Sequence, residues 1–404
     1  MNDLDAIRKG SETVDLMALQ EKERAIVEFV ESRMTDSHGL VVSHLHANTL
    51  RPWTQSQVDS ELSGLAFYDV RRGDATGQLA YEDSLMATGE YALSRILKYA
   101  VTSEAMSLSR ASVQVGALLR VFEEGSKYER GFLPKPHGGV SRAAFSHEIS
   151  VDQHIKTLVA LRAWQPYASV SQAQLIDGHL VALADYHLVR NFVHPRRESF
   201  IVTPENRTHG AALFIPLLWT AFGITGDSQY RKAITRFDGV IDSLVNGPVP
   251  TNCNIVSLFM DGLDLAMREG YSDPRLLTLL SRLWEARLAE SRKLGIWNDD
   301  PTDAHPSSRA IRIAAFAPIV DRHVKGAGAC HLGALMLAQR TDPREMRYID
   351  APASELPITH QYRSKSLCET SITSWLCAYW GIRLATRSGS ASGDNACSPS
   401  GGAA

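Results

Sequence analysis

The sequence predicts an all-α protein, an (α/α)6 barrel or toroid of about twelve helices that alternate between an inner and an outer ring. Three observations support this fold class. Apolar residues recur with the 3.6-residue period of the α-helix along most of the 404 residues. Helical segments that are apolar nearly all round alternate with segments that carry a single apolar stripe. No strand–helix alternation typical of a parallel sheet is found, although residues 200–202 allow a short strand.

Five segments are apolar nearly all round, which indicates helices that are buried on every side. They are residues 85–99, 155–164, 211–222, 255–267 and 372–382. Half-polar segments follow the first four of them, at residues 103–124, 172–191, 229–246 and 274–292. A single apolar stripe is typical of a helix that covers an outer surface. The order along the chain therefore predicts hairpins of one inner and one outer helix.

A short polar turn follows each inner helix and begins the next helix. Ser, Thr and Asp supply oxygens that cap a helix N-terminus, and Pro suits the first helical position. The turns are Thr102-Ser103-Glu104, Ser169-Val170-Ser171, Thr225-Gly226-Asp227, Ser272-Asp273-Pro274 and Thr341-Asp342-Pro343. They recur roughly 45 to 70 residues apart, a supersecondary period that indicates repeated helical hairpins.

The two ends of the chain supply the last hairpin. The final buried helix, at residues 366–386, has no outer helix after it, and an N-terminal helix at residues 14–34 can take that place. We therefore expect a closed ring, with an open helical solenoid as the alternative. The toroid is predicted to be a single domain of residues 1–387, followed by a disordered Gly/Ser-rich tail at residues 388–404.

Composition excludes several classes of protein. The net charge is −3, which gives no cationic surface for nucleic acid. The five cysteines are odd in number and form no CxxC pair, which argues against a disulfide framework and against a Cys-rich zinc site. We expect no metal site and no cofactor. The polar N-terminus lacks the apolar core of a signal peptide, and the longest apolar run is too short to span a bilayer. These features predict a soluble cytoplasmic protein without a membrane partner, and its oligomeric state is left open.

The long connections that precede the inner helices are rich in residue types that carry chemistry. If the ring closes, these connections meet at one mouth, where loops on a rigid scaffold commonly carry function. The candidate catalytic residues are Asp152, Glu82, Asp83, His209 and Tyr362. The candidate substrate-binding residues are His147, Gln153, Asn206, Arg207, Trp297 and Arg363. His323, Lys325 and His331 are expected at the same mouth. For each Asp or Glu, a role as a helix cap is the alternative.

Four strings in the chain resemble the six-hairpin glycosidase superfamily. They are YEDSLMATGEYALSRILKYA with the helix after it, GFLPKP, HEISVDQHIKTLVAL, and NRTHGAALFIPLLWTAFGITGDSQY. The shared features are an acidic group that opens an inner helix, a TGD outer turn and an E-x-S-x-D-Q opening of the next inner helix. The resemblance covers residues 80–390. The resemblance implies a helical toroid with a carbohydrate in its funnel. Members of the superfamily include glycoside hydrolases, polysaccharide lyases and sugar epimerases.

A glycoside hydrolase on a small oligosaccharide is the function we predict from these residues. Hydrolysis needs two carboxyl groups, one to protonate the glycosidic oxygen and one to activate water or attack carbon. Asp152 is the first candidate because the S-x-D-Q pattern falls on it, and Glu82 or Asp83 is its candidate partner. His147, Arg207 and His209 would hold substrate hydroxyl or carboxylate groups, and Trp297 or Tyr362 would stack on a sugar.

Three alternatives remain at this stage. A lyase would use Tyr362 or a histidine as base, with Asn206, Arg207 and His209 to neutralise a uronate carboxylate. An epimerase would use two histidines on opposite faces of an opened sugar, and the available histidines are His147, His154, His209, His323, His331 and His360. A toroid that binds a peptide or protein and catalyses nothing is the third alternative.

Overall fold

The computed structural model of the protein describes residues 14–62, 75–146, 148–196, 199–202, 208–250, 253–293, 306–324, 326–339, 341–348 and 361–393. Within these ranges the regular structure is almost entirely helical, which confirms the predicted fold class. The first residues of the predicted disordered tail, 388–393, are helical instead, because the last helix continues to Gly393. The division into one toroid domain and a tail stays a prediction.

The elements in chain order are α1 (Leu19–Phe29), β1 (Leu45–His46), β2 (Arg51–Pro52), α2 (Gln55–Glu61), α3 (Ala75–Tyr81), α4 (Ser84–Thr102), α5 (Ala105–Tyr128), α6 (Val151–Trp164), α7 (Val170–Val189), β3 (Val193–Arg196), β4 (Ser199–Val202), α8 (Thr208–Thr225), α9 (Ser228–Ile234), α10 (Asp238–Asn246), α11 (Cys253–Arg268), α12 (Arg275–Lys293), α13 (Pro306–His323), α14 (Ala329–Gln339), α15 (Gln361–Ser364) and α16 (Glu369–Gly393). The strands form two antiparallel pairs, β1 with β2 and β3 with β4. The second pair contains the short strand that residues 200–202 allowed.

Six of the described helices form a closed inner ring. In ring order these helices are α4, α6, α8, α11, α13 and α16, and each packs against the next. The ring closes because α16 packs against α4. The pairs Leu85 with Gln153 and Thr220 with Glu269 show that neighbouring inner helices run parallel. Their N-terminal ends therefore share one end of the barrel.

The outer ring contains α5, α7, the pair α9 and α10, α12, and α14, with α1 as its sixth member. The α1 helix packs against α16, and Trp380 Nε1 donates a hydrogen bond of 3.0 Å to Glu23. Tyr379 donates to the carbonyl of Leu16 at 3.0 Å. The prediction that the N-terminal helix closes the ring is thereby confirmed.

Two predictions about residues 306–345 are wrong. The turn Thr341-Asp342-Pro343 does not follow an inner helix, and His323 and His331 do not lie at the mouth. Residues 306–323 form the inner helix α13, which the apolar pattern missed because charged residues interrupt it. The turn Thr341-Asp342-Pro343 consequently follows an outer helix and begins a short 3₁₀ helix, Pro343–Glu345. His323 ends α13, at the opposite end of the barrel from the N-termini of the inner helices, and His331 lies in the adjacent first turn of α14. Lys325 lies outside the described residues.

Glycines permit close crossings between inner helices. A Cβ atom on Gly262 of α11 would overlap the carbonyl oxygen of Ala212 in α8. A Cβ atom on Gly89 of α4 would lie 2.7 Å from the carbonyl oxygen of Lys156 in α6. Because both obstacles are backbone atoms, a larger residue would force whole helices apart.

Gly262→Ala is expected to lower the free energy of unfolding by about 2–3 kcal/mol, since overpacking a helix crossing costs that order of energy. Gly178→Ala is the matched control, because Gly178 lies in α7 and a Cβ atom there would have no neighbour within 4 Å. The control should be stabilised by about 0.5–1 kcal/mol through helix propensity. Urea denaturation of both variants measures the difference, and equal stabilities would contradict the close crossing.

Within the described ranges, no helix combines the length and apolarity needed to cross a membrane.

Candidate active site at the mouth of the toroid

The mouth is formed where the N-terminal ends of α4, α6 and α16 meet. Glu82 and Asp83 directly precede α4, Asp152 is the second residue of α6, and Glu369 is the first residue of α16. Gln153 is fully buried and joins two of these ends, because its amide donates to the Glu82 carbonyl and accepts from the Leu85 N–H. The observed contacts give Gln153 a positioning role, and its substrate contact stays a prediction.

Glu82 is held in an ion cluster with basic side chains from the loop after α5. Lys135 Nζ lies 2.7 Å from Glu82 Oε1 and 3.3 Å from Glu148 Oε1. His137 Nε2 lies 3.2 Å from Glu82 Oε2. Burial alone would raise the pKa of Glu82, but Lys135 and His137 hold it well below its usual range. Glu82 is therefore a fixed anion, a poor proton donor at neutral pH.

Asp83 and Glu369 form a second acidic group that behaves in the opposite way. The Tyr348 hydroxyl lies between them, 3.1 Å from Asp83 Oδ2 and 2.6 Å from Glu369 Oε1. Burial and the charges of Glu82 and Asp152 raise the pKa of Asp83. Burial and the charge of Asp83 raise the pKa of Glu369 to about 8. At neutral pH this pair therefore retains a proton.

The two members of this pair differ in accessibility. Glu369 is completely buried, whereas Asp83 is half-buried. Asp83 stands at the N-cap position of α4, but its side chain makes no capping hydrogen bond. Its carboxyl group is consequently the member of the pair that can reach a ligand in the mouth.

Asp152 lies in the first turn of α6, and Ser150 occupies the N-cap position. The Asp152 Oδ1 atom accepts hydrogen bonds from the Ser150 hydroxyl and, at 3.1 Å, from the Gln153 N–H. The side chain is half-buried. Because its charge raises the pKa of Asp83, the two carboxyl groups are close neighbours electrostatically.

Tyr362 and Arg363 form one wall of the mouth. The Arg363 Nε atom donates to the Tyr362 hydroxyl at 2.8 Å, and its guanidinium lies over the rings of Tyr348 and Tyr362. Tyr362 is buried, and burial raises the pKa of its hydroxyl. The charges of Glu82 and Asp83 also act on this hydroxyl, so the structure brings these predicted residues together.

His44 is a residue of the mouth that sequence reasoning missed. Its ring lies 4.8 Å from that of Tyr348 and 5.1 Å from that of Tyr362, and only 1% of the residue is exposed. Neither ring nitrogen has a hydrogen-bond partner among the described residues. Burial and the charge of Arg363 lower its pKa to about 3, so the imidazole is neutral.

The backbone at His44 is also unusual. Its φ of 44° lies in the left-handed region, which is uncommon and costly for a residue other than glycine. Strained residues and unsatisfied buried groups cluster at functional sites. Lys135, Tyr348 and Glu369 complete the group that we did not select from sequence, although Glu369 opens an inner helix as the selected acids do.

Of the remaining candidates, only His209 lies within the described residues. His209 lies in the first turn of α8, on the mouth side of the ring. His147, Asn206, Arg207 and Trp297 lie outside the described residues. Their predicted roles stay predictions.

The fold and this cluster define the protein as an (α/α)6 toroid with an acidic mouth at the N-termini of its inner helices. The chain is similar in structure to the GH76 alpha-mannanase of Bacteroides thetaiotaomicron, with a TM-score of 0.50 and 11% identity over 93% of this chain and 97% of that one. It also matches a polysaccharide lyase, with a TM-score of 0.49 and 12% identity over 92% of this chain and 99% of that one. No protein-family model and no curated protein matches the chain. The first likeness confirms the toroid fold.

Proposed function

We propose that the protein is a glycoside hydrolase that acts on a small oligosaccharide bound in the mouth. The observation that carries this proposal is the protonated pair of Asp83 and Glu369 beside a second carboxyl group, Asp152. Asp83 belongs to a pair that keeps a proton at neutral pH, and Asp152 is the adjacent carboxylate whose charge helps to keep it there. Glycoside hydrolysis requires one carboxyl group that holds a proton and a second, nearby carboxyl group that activates water or attacks the sugar carbon.

In this mechanism Asp83 donates to the glycosidic oxygen the proton that it shares with Glu369 through the Tyr348 hydroxyl, while the Asp152 carboxylate activates water or attacks the sugar carbon. Glu369 is a positioning residue, because it acts on Asp83 through the Tyr348 hydroxyl. The buried, neutral imidazole of His44 packs against the rings of Tyr348 and Tyr362, so His44 is a second positioning residue. Trp297, Tyr362 and Arg363 would line the sugar subsite.

The alternatives have less support. A lyase that used Tyr362 as base would need an easily ionised hydroxyl, and burial raises the pKa of this one. Among the histidines proposed for an epimerase, His154 is buried, and its Nε2 lies 2.7 Å from the Leu133 carbonyl. The likeness to an alpha-mannanase fold agrees with a carbohydrate substrate. A cytoplasmic location remains our expectation.

Product analysis with a panel of labelled oligosaccharides tests the proposal. A hydrolase produces new reducing ends without a new double bond. A lyase produces the ultraviolet absorbance of an unsaturated uronate, and an epimerase changes the sugar without shortening it. Only the first outcome supports the proposal, and an unchanged panel would favour the non-catalytic alternative.

The pH profile of the reaction should report the protonated pair. The pair must hold a proton to act as an acid, so kcat/KM should decline as the pH rises past about 8, the pKa of Glu369.

Asp83→Asn should lower kcat for a natural sugar leaving group by about 10²–10⁴-fold. The loss should be much smaller with an aryl glycoside, whose leaving group needs little protonation. Equal losses with both substrates would contradict the assignment of Asp83 as the acid.

A further inference from the structure

A second cavity lies at the end of the barrel opposite the mouth. Its volume is about 320 Å³, and it is lined by the second halves of α4, α6, α11, α13 and α16. The walls are largely apolar and include Leu93, Leu97, Val159, Ile319 and Leu384. None of the residues predicted for the active site lines it.

The inner boundary of this cavity is a layer of mutually satisfied charges. Lys156 Nζ lies 2.8 Å from Glu90 Oε1 and also contacts Asp261 Oδ2. Hydroxyl groups of Thr373 and Ser374 donate to the same Glu90 carboxylate, at 2.6 and 2.9 Å. These polar groups already have partners, so the interior offers little to a sugar and suits an apolar molecule.

The outer boundary carries two guanidinium groups that share one carboxylate. Arg268 donates to Asp264 Oδ2 at 2.9 Å, and Arg322 donates to Asp264 Oδ1. The Arg268 and Arg322 side chains are 38% and 37% exposed. Burial alone would raise the pKa of Asp264, but His323, Arg268 and Arg322 hold it well below its usual range. Two fixed cations therefore face one anion.

Each arginine retains donor groups for a further ligand. Arg268 uses Nε and Arg322 uses one terminal nitrogen on Asp264, and no other acceptor bonds to either side chain in the described part of the chain. A guanidinium group binds carboxylates well because its N–H groups match their two oxygens. An apolar chamber with such an entrance is complementary to a molecule with an apolar body and one anionic end.

We propose that this cavity binds a small amphiphilic carboxylate, with its apolar body between α4, α6 and α13 and its carboxylate at Arg268 and Arg322. This site is independent of the proposed hydrolase activity, since the charged layer of Lys156, Glu90 and Asp261 separates it from the mouth.

Isothermal titration calorimetry of the full chain with decanoate, below its micellar concentration, tests the proposal. We expect one molecule to bind per chain. Acetate, which lacks the apolar body, and decyltrimethylammonium, which carries the opposite charge, should not bind. Failure of decanoate to bind, or equal binding of the cation, would overturn the proposal.

Two variants locate the bound molecule. Arg322→Gln should weaken decanoate binding by about tenfold or more, because it removes a charge-assisted hydrogen bond. Ala163→Phe should abolish binding by filling the cavity that Ala163 lines. Arg110→Gln is the matched control, since Arg110 is 34% exposed and pairs with Glu31 on the outer ring. Thermal melts establish that each variant is folded, and wild-type affinity in folded Ala163→Phe would place the ligand elsewhere and refute the site.

Discussion

Asp152→Asn is expected to lower kcat by about 10²–10⁴-fold while the fold and melting temperature stay close to those of the wild type. The amide oxygen of asparagine can still accept the hydrogen bonds that Ser150 and Gln153 give to Asp152 Oδ1. The helix should therefore be almost unaffected. The amide cannot accept a proton at neutral pH or act as a nucleophile, so catalysis should be lost.

The same substitution at Asp227, an aspartate at a helix N-cap far from the mouth, provides the control. The Asp227 side chain accepts a hydrogen bond from the Gln229 N–H at 2.9 Å and caps the outer helix α9. Asp227→Asn should keep both activity and stability. Wild-type turnover in Asp152→Asn would move the role of base or nucleophile to Glu82 or His209. Residual activity with a lowered melting temperature would instead indicate that Asp152 is structural.

Lys156→Met is expected to lower the free energy of unfolding by about 3–5 kcal/mol, because it leaves buried carboxyl groups without their counterion. Lys156 is paired with Glu90, which is 2% exposed, and with Asp261. Burial alone would lower the pKa of Lys156, but Asp261 and Glu90 raise it above its ordinary value. The stabilisation is therefore fully present at neutral pH and is lost only as the pH rises through the raised pKa.

The pH dependence of this variant separates charge from packing. Burial raises the pKa of Asp261, so in Lys156→Met this carboxyl group gains a proton as the pH falls, and the loss of stability should be smaller near pH 4 than near pH 7. Lys127→Met is the control, because Lys127 is 67% exposed and pairs with Glu124 on a helix surface. Its loss should be below about 1 kcal/mol. Equal losses at the two lysines, measured by urea denaturation, would contradict the buried charge layer.

Periodicity predicted most inner helices because burial on all sides leaves a simple apolar signature. It missed α13, where Arg312, Asp321 and Arg322 interrupt the apolar residues. In the folded chain Asp321 accepts the N–H groups of Ala329 and Cys330 at 2.8 and 2.7 Å, and Arg322 binds Asp264. These partners become apparent only when the next helix and the neighbouring inner helix are in place.

The candidate site was predictable where a local rule applied. Glu82, Asp83 and Asp152 stand where an acidic group opens an inner helix, and ring closure brings such positions together. His44 and Tyr348 lie outside the inner helices, so no period identifies them. Lys135 lies in a quoted loop string, but its role as counterion depends on a contact with Glu82 that local sequence does not encode.

In the proposed reaction the mouth adds water across a glycosidic bond. Cleavage of an oligosaccharide in water labelled with heavy oxygen tests it most directly, with the products analysed by mass spectrometry. We expect one heavy oxygen atom at the new reducing end for each bond cleaved, and loss of this product in Asp152→Asn and Asp83→Asn. Cleavage without oxygen incorporation, accompanied by an unsaturated uronate, would contradict it.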